Sequence, residues 1–206
     1  LPPAAVSGRA PAIPASPLSI STLEPGRVGV AAIAGFPWLS VTGLYGLVPG
    51  LDVGVQVRAA WTEVQRLNLQ ARWRFLELGD GALGLRFSAG TWMARPASPV
   101  WLDYTGEQDY TLLGALAYSF VTPSNTLLTF EAAVLGIGTT RPRTDPLGGP
   151  PPAIGWGANT QLRVAAELAH ESGLRLAFEV GLDLHTSGLD TALAMPFFGL
   201  GVGYVL

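Results

Sequence analysis

Between residues 51 and 75 the chain alternates apolar and polar side chains almost without a break. Leu51, Val53, Val55, Val57, Ala59 and Trp61 share one parity, and Asp52, Gln56 and Arg58 share the other. A few residues on, Leu67, Leu69, Ala71, Trp73 and Phe75 alternate with Arg66, Asn68, Gln70, Arg72 and Arg74. A period of two becomes two chemically opposite faces only in an extended strand, because successive side chains there point to opposite sides. One face of such a strand wants an apolar surrounding, and the other wants water or ionic partners.

Similar alternation recurs along the chain and predicts ten strands, near 26–36, 38–48, 51–61, 64–76, 82–94, 108–121, 126–138, 157–170, 173–185 and 195–206. The length of 206 residues suits one domain. Hydrophobic residues make up 49% and charged residues 13%, with a mean hydropathy of +0.35. That is a high apolar load for a soluble β protein, yet no run approaches the roughly 18 apolar residues that a membrane helix requires. Dispersed apolarity of this kind is what membrane-crossing strands need. A soluble sandwich or barrel with its faces reversed would show the same alternation; sparse charge and the placement of tryptophan favour the membrane. The fold expected is therefore all-β, a ten-stranded antiparallel up-and-down transmembrane β-barrel with short periplasmic turns and longer extracellular loops.

Turn signals at Pro49-Gly50, Gly79-Asp80-Gly81, Pro123-Ser124-Asn125 and Glu171-Ser172-Gly173 fall at every second connection and mark the short-turn, periplasmic end. The longer connections, 95–107 and 139–156, belong to the other end. Interface belts of a bilayer attract aromatic rings, and Trp38, Trp61, Trp92 and Trp156, with Trp101, fall at strand ends or loops on that far side. Tyr204 joins Tyr45, Phe75, Tyr118 and Phe120 in a belt near the turns, and Trp73 alone is read as mid-strand. Residues 1–25, with Pro2, Pro3, Pro11, Pro14, Pro17 and Pro25 among alanines and serines, have the composition of a periplasmic tail outside the barrel of residues 26–206. Leu1 is followed by neither a basic nor a long apolar leader, as in a mature exported chain.

The closing residues Phe198, Leu200, Val202, Tyr204 and Leu206, alternating with glycines, resemble the C-terminal assembly signal of outer-membrane barrels. Leu206 stands where that family more often has an aromatic. The stretch Leu44-Tyr45-Gly46-Leu47, a short turn, and Leu51-Asp52-Val53-Gly54 is similar to hairpins of small barrels. Over residues 26–206 the chain resembles the small bacterial outer-membrane barrels of the OmpA and OmpW kind in architecture, without matching a particular family by motif. The resemblance implies the outer membrane of a Gram-negative bacterium, with membrane lipid and the barrel-assembly machinery as partners, and no specific activity.

Reading the parity through places Arg58, Arg66, Arg72, Arg74, Arg86, Arg163 and Arg175 in the lumen with Asp52, Glu131, Glu167, Glu179 and Asp183. Barrels of about eight strands are filled by side chains and open channels need about 16, so a ten-stranded lumen is expected to be largely filled by a paired charge network. The function expected is that of a non-enzymatic structural anchor or subunit of an envelope assembly, docking a protein partner through residues 1–25 or the long loops. The alternative is a narrow, weakly anion-preferring small-solute channel, since arginines at 66, 72 and 74 cluster on one wall. The tail would then plug or gate it. A rim hydrolase built on Asp183 and His185, two apart on the ninth strand, is the weakest reading. With no cysteine and two histidines, neither cofactor nor metal is expected, and a net charge of -3 gives no nucleic-acid footprint.

Overall fold

The computed structural model describes residues 13–36, 38–60, 64–94, 108–140, 154–170, 172–185 and 193–206. Among them are ten strands: β1 (Val28–Phe36), β2 (Leu39–Val48), β3 (Leu51–Ala60), β4 (Val64–Leu78), β5 (Gly81–Ala94), β6 (Gln108–Val121), β7 (Thr126–Thr140), β8 (Ile154–Ala169), β9 (Leu174–His185) and β10 (Leu193–Val205). Each pairs antiparallel with its sequence neighbour, and β1 pairs with β10 to close the barrel. Closure leaves no strand edge with unpaired main-chain groups, the condition for a sheet to sit in hydrocarbon.

The two faces sort as the alternation requires, with the apolar face outside. Leu69 is 65% exposed while its neighbour Asn68 is 1% exposed. Val53, Val55, Val57, Leu67, Leu112, Leu116, Val134, Phe178 and Leu200 extend the exposed apolar surface around the wall. A soluble barrel would bury these side chains and hydrate the arginines. This one does the reverse, so it is a membrane-spanning barrel of the outer-membrane type.

Two irregularities tune the wall. The register shifts between Gly46 and Val48 on β2 and between Arg74 and Leu76 on β4. At each, two consecutive apolar residues, Leu47 with Val48 and Phe75 with Leu76, stay on the outside where strict alternation would turn one inward. The second shift also carries β4 to Leu78, two residues beyond the expected end. β8 starts earlier than expected, at Ile154, where the strand-poor residues Gly155 and Gly157 pair with Thr139 and Ile137.

The short turns gather at one end with the start of β1 and the end of β10. Gly50 and Gly173 turn there in the left-handed region, at φ 81° and 88°. Added Cβ atoms would lie 2.8 Å from the Arg74 carbonyl oxygen and 2.7 Å from that of Val205, so glycine is required twice over. An aromatic belt surrounds this end. Trp73 and Phe75 lie 5.6 Å apart, and Phe120 stacks at 5.7 Å on Tyr118 and at 6.2 Å on Phe130. Trp73, read from sequence as mid-strand, pairs with Leu51 at the start of β3 and belongs to this belt.

Candidate functional site

The lumen is the candidate site, and what fills its turn-end half is the chain's own N-terminal segment. Residues 14–21 fold back on themselves. The Ser16 amide donates to the Ser21 carbonyl at 3.1 Å, and the Ser21 hydroxyl to the Pro14 carbonyl at 2.7 Å. Ser16 Oγ accepts from the amides of Leu18 and Ser19, and Ser19 Oγ from that of Ser21. Serines therefore satisfy the main-chain donors that a buried loop would otherwise leave without partners. Ser16 and Ser21 are both 0% exposed, and Ile20 and Leu23 are buried with them.

The barrel wall holds this loop from opposite sides. Ser16 Oγ donates to Glu167 Oε2 on β8 at 2.5 Å. Asp52 on β3 accepts from the Leu23 amide at 3.0 and 3.2 Å through its two oxygens. Arg72 on β4 pairs with Asp52 and donates to the Ser19 carbonyl. Arg163 on β8 donates to the Leu18 carbonyl at 3.1 Å. Glycines on the lumen face make room. A Cβ on Gly29 would stand 3.2 Å from Pro17 Cβ, one on Gly84 2.4 Å from Ile20 Cγ1, and one on Gly203 2.9 Å from Pro17 Cγ. Composition led to a Pro/Ala-rich tail for residues 1–25, left to plug the barrel or to dock elsewhere; residues 13–24 are seated within the wall. The reason is that this segment is buried through hydroxyls and main-chain groups, which composition does not reveal. Residues 1–12 lie outside the described residues.

Beyond the loop tip the expected lumen charges converge. Arg86 on β5 pairs with Glu131 on β7, its Nε donating to Oε2 at 3.1 Å. Glu131 also meets Arg163 at 3.6 Å, and Arg163 pairs with Glu179 on β9 at 3.0 Å. This chain ties four strands across the lumen with alternating signs. Further toward the far end, Asp183 accepts from Gln161 at 3.0 Å, and Arg66 Nε donates to Asn68 at 2.7 Å. Asn68, Gln56 and Thr42 continue that hydrogen-bonded row. Gln56, Asn68 and Gln161 were legible only as polar strand positions. Arg74 stands apart from the network, at the turn-end rim, where it pairs with Glu77 at 3.2 Å.

The far-side girdle fares differently. Trp38 is half-buried and its ring centroid lies 5.9 Å from the guanidinium of the lumen arginine Arg58. It shares parity with the buried Ser40 and Thr42 on β2, so it meets a cation inside and not lipid outside. Trp92 and Trp156 occupy register positions opposite Arg66 and Gly138. Trp61 and Trp101 lie outside the described residues. Phe198, Leu200, Val202, Tyr204 and Leu206 all present exposed side chains on the outer face, and Phe198 stacks across the closing seam on Phe36 at 6.2 Å. His185 ends β9 opposite Asn159, two residues from Asp183. Among the described residues no three His, Asp or Glu side chains group as metal ligands.

No protein-family model matches the chain, and neither does any curated protein. Among solved structures it is similar to the N-terminal β-barrel domain of Pseudomonas aeruginosa OprF, at 12% identity and a TM-score of 0.41, over 89% of this chain and 100% of that one. It is similar to the outer membrane protein OprD of the same organism, at 10% identity and 0.30, over 87% of this chain and 65% of OprD. A variant of OccD1 (OprD) aligns at 11% identity and 0.30, over 94% of this chain and 72% of its own. The similarity is one of barrel form.

Proposed function

We propose that this chain is a non-enzymatic barrel of the Gram-negative outer membrane whose lumen is stoppered from within, and that it serves as a structural anchor or subunit of an envelope assembly. The observation that carries this reading is the seating of residues 13–24, held from β3, β4 and β8 at once by Asp52, Arg72, Arg163 and Glu167. The ionic chain from Arg86 to Glu179 adds a second crossing. In such a barrel the groups left for a partner are the residues before Ile13 and the far-end connections.

A second reading, a gated narrow channel, draws on the wall behind the loop. Asp52, Arg72, Glu167 and Arg175 would suit water if the loop left, because charged walls favour a hydrated passage. The signs there are balanced, which argues for weak selectivity.

Conductance of the purified chain in a planar lipid bilayer, with and without residues 1–25, separates the two. The anchor reading expects silence from both forms, with β-type circular dichroism confirming the fold. Steady steps that appear only after truncation would replace it with the gated channel. Steps from the intact chain would refute the stopper itself.

A further inference from the structure

Among the described arginines of this lumen, Arg66 and Arg72 have hydrogen-bonded partners and Arg58 lies against the Trp38 ring, whereas Arg175 on β9 has no such contact. It is 8% exposed, its Nε is enclosed without a partner, and neither a hydrogen bond nor an ion pair joins its guanidinium to the described residues. Glu167 is the opposite charge that acts on it, through space, with its Oε2 engaged by Ser16 and its Oε1 enclosed without a hydrogen bond. A buried guanidinium whose donors make no direct hydrogen bond or ion pair is costly, so such groups are found with an acceptor. Arg175 lines a pocket of about 230 Å³ at the turn end, together with Arg27, Ser172, Glu24 and Ala15. Arg27 is exposed at the rim.

We propose that this pocket is a phosphate-oxyanion site. Arg175 supplies fixed donors at its base and Arg27 a mobile second cation, while the Ser172 hydroxyl beside them is engaged by His170 Nδ1 at 2.9 Å. Guanidinium groups suit phosphate because their planar donor sets match its oxygens in pairs. Glu24 lowers the positive charge of the lining, which favours a singly charged phosphate over a dianion. The volume admits one phosphate group with waters, a water occupying about 30 Å³. Part of the wall belongs to the N-terminal segment through Ala15 and Glu24, so the site exists only while that segment is seated. By linkage, a bound phosphate holds the segment in place. The inference rests on the stoppered lumen proposed above, though not on the absence of conductance.

The test is calorimetric titration of the full chain in phosphate-free maltoside micelles at constant ionic strength. The probes are inorganic phosphate and glycerophosphoethanolamine, a soluble headgroup diester. Single-site saturation is expected, lost in Arg175→Met and weakened roughly tenfold in Arg27→Gln, the scale of one charge-assisted contact. Preference for the diester assigns the ligand to lipid headgroups, and preference for inorganic phosphate assigns it to the free ion. Arg27→Gln alters an exposed side chain and keeps the test decisive if Arg175→Met does not fold. Absence of saturation, or binding that neither substitution weakens, overturns the site. Thiol labelling of a Ser19→Cys chain in the same micelles separates the two failures. Protection without phosphate binding sinks this proposal alone, whereas free labelling removes the seated segment and the site with it.

Discussion

Asp52 and Arg72 offer the sharpest quantitative test, because one buried pair both braces the wall and holds the loop. Asp52 is 0% exposed and Arg72 3% exposed. Asp52→Asn keeps the size and one oxygen for the Leu23 amide, but it removes the charge opposing Arg72. The guanidinium then keeps only the Ser19 carbonyl as an acceptor. Breaking a buried pair by removing one partner costs about 3–5 kcal/mol, and Arg72→Met should cost a similar amount by leaving Asp52 charged and enclosed. In the double substitution no uncompensated charge remains, so the loss should fall short of the sum by about 1–3 kcal/mol. Urea unfolding in lipid vesicles, followed by tryptophan fluorescence, gives all three values. An Asp52→Asn chain within about 0.5 kcal/mol of the parent, or strictly additive losses, would refute the claim that the pair is buried and coupled.

Other substitutions probe separate parts of the structure. Gly203→Val places a side chain where Pro17 sits and should raise protease cleavage within residues 13–24 while the barrel keeps its β-type circular dichroism; unchanged cleavage would mean that the wall and loop do not touch there. Glu131→Gln removes the carboxylate shared by Arg86 and Arg163 and should lower the unfolding free energy by about 3–5 kcal/mol, read by the same urea titration. Leu69→Arg, on the outer face, should cost about 2–4 kcal/mol in a bilayer if it lies near the midplane. A neutral result there would contradict the orientation of β4.

The strands were legible because alternation is local. Asp52 through Arg74 declare two faces without knowledge of any neighbour, and the connections at Pro49-Gly50 and Glu171-Ser172-Gly173 punctuate them. The choice between lipid outside and core inside is not local, since Leu69 and Asn68 would alternate identically in either arrangement; the side of the closed wall on which each lies decides it, Leu69 outside and Asn68 within. The lumen charges followed from parity, but their pairing did not. Arg86, Glu131, Arg163 and Glu179 come from four strands, and only the stagger of the barrel brings them together. The seated segment was hidden most deeply. Proline, serine and alanine read as a tail, whereas Ser16, Ser19 and Ser21 serve as internal hydrogen-bond partners for a buried turn. A signal did exist in the lumen-parity glycines at 29, 84 and 203, which left space on the wall for side chains of another segment. Trp38 was misleading for a related reason, since tryptophan near a strand end suits a lipid interface and a cation in the lumen equally well.

The central claim is that residues 13–24 occupy the lumen, and the absence of cysteine from the chain allows a direct test. Single cysteines at Ser19, within the loop, and at Ser124, in an exposed turn, would be labelled with a membrane-impermeant, water-soluble thiol reagent on open bilayer sheets that expose both barrel ends. The account predicts prompt labelling at position 124 and protection at position 19 that denaturant alone lifts. Equal labelling of the two positions in the folded barrel would contradict it.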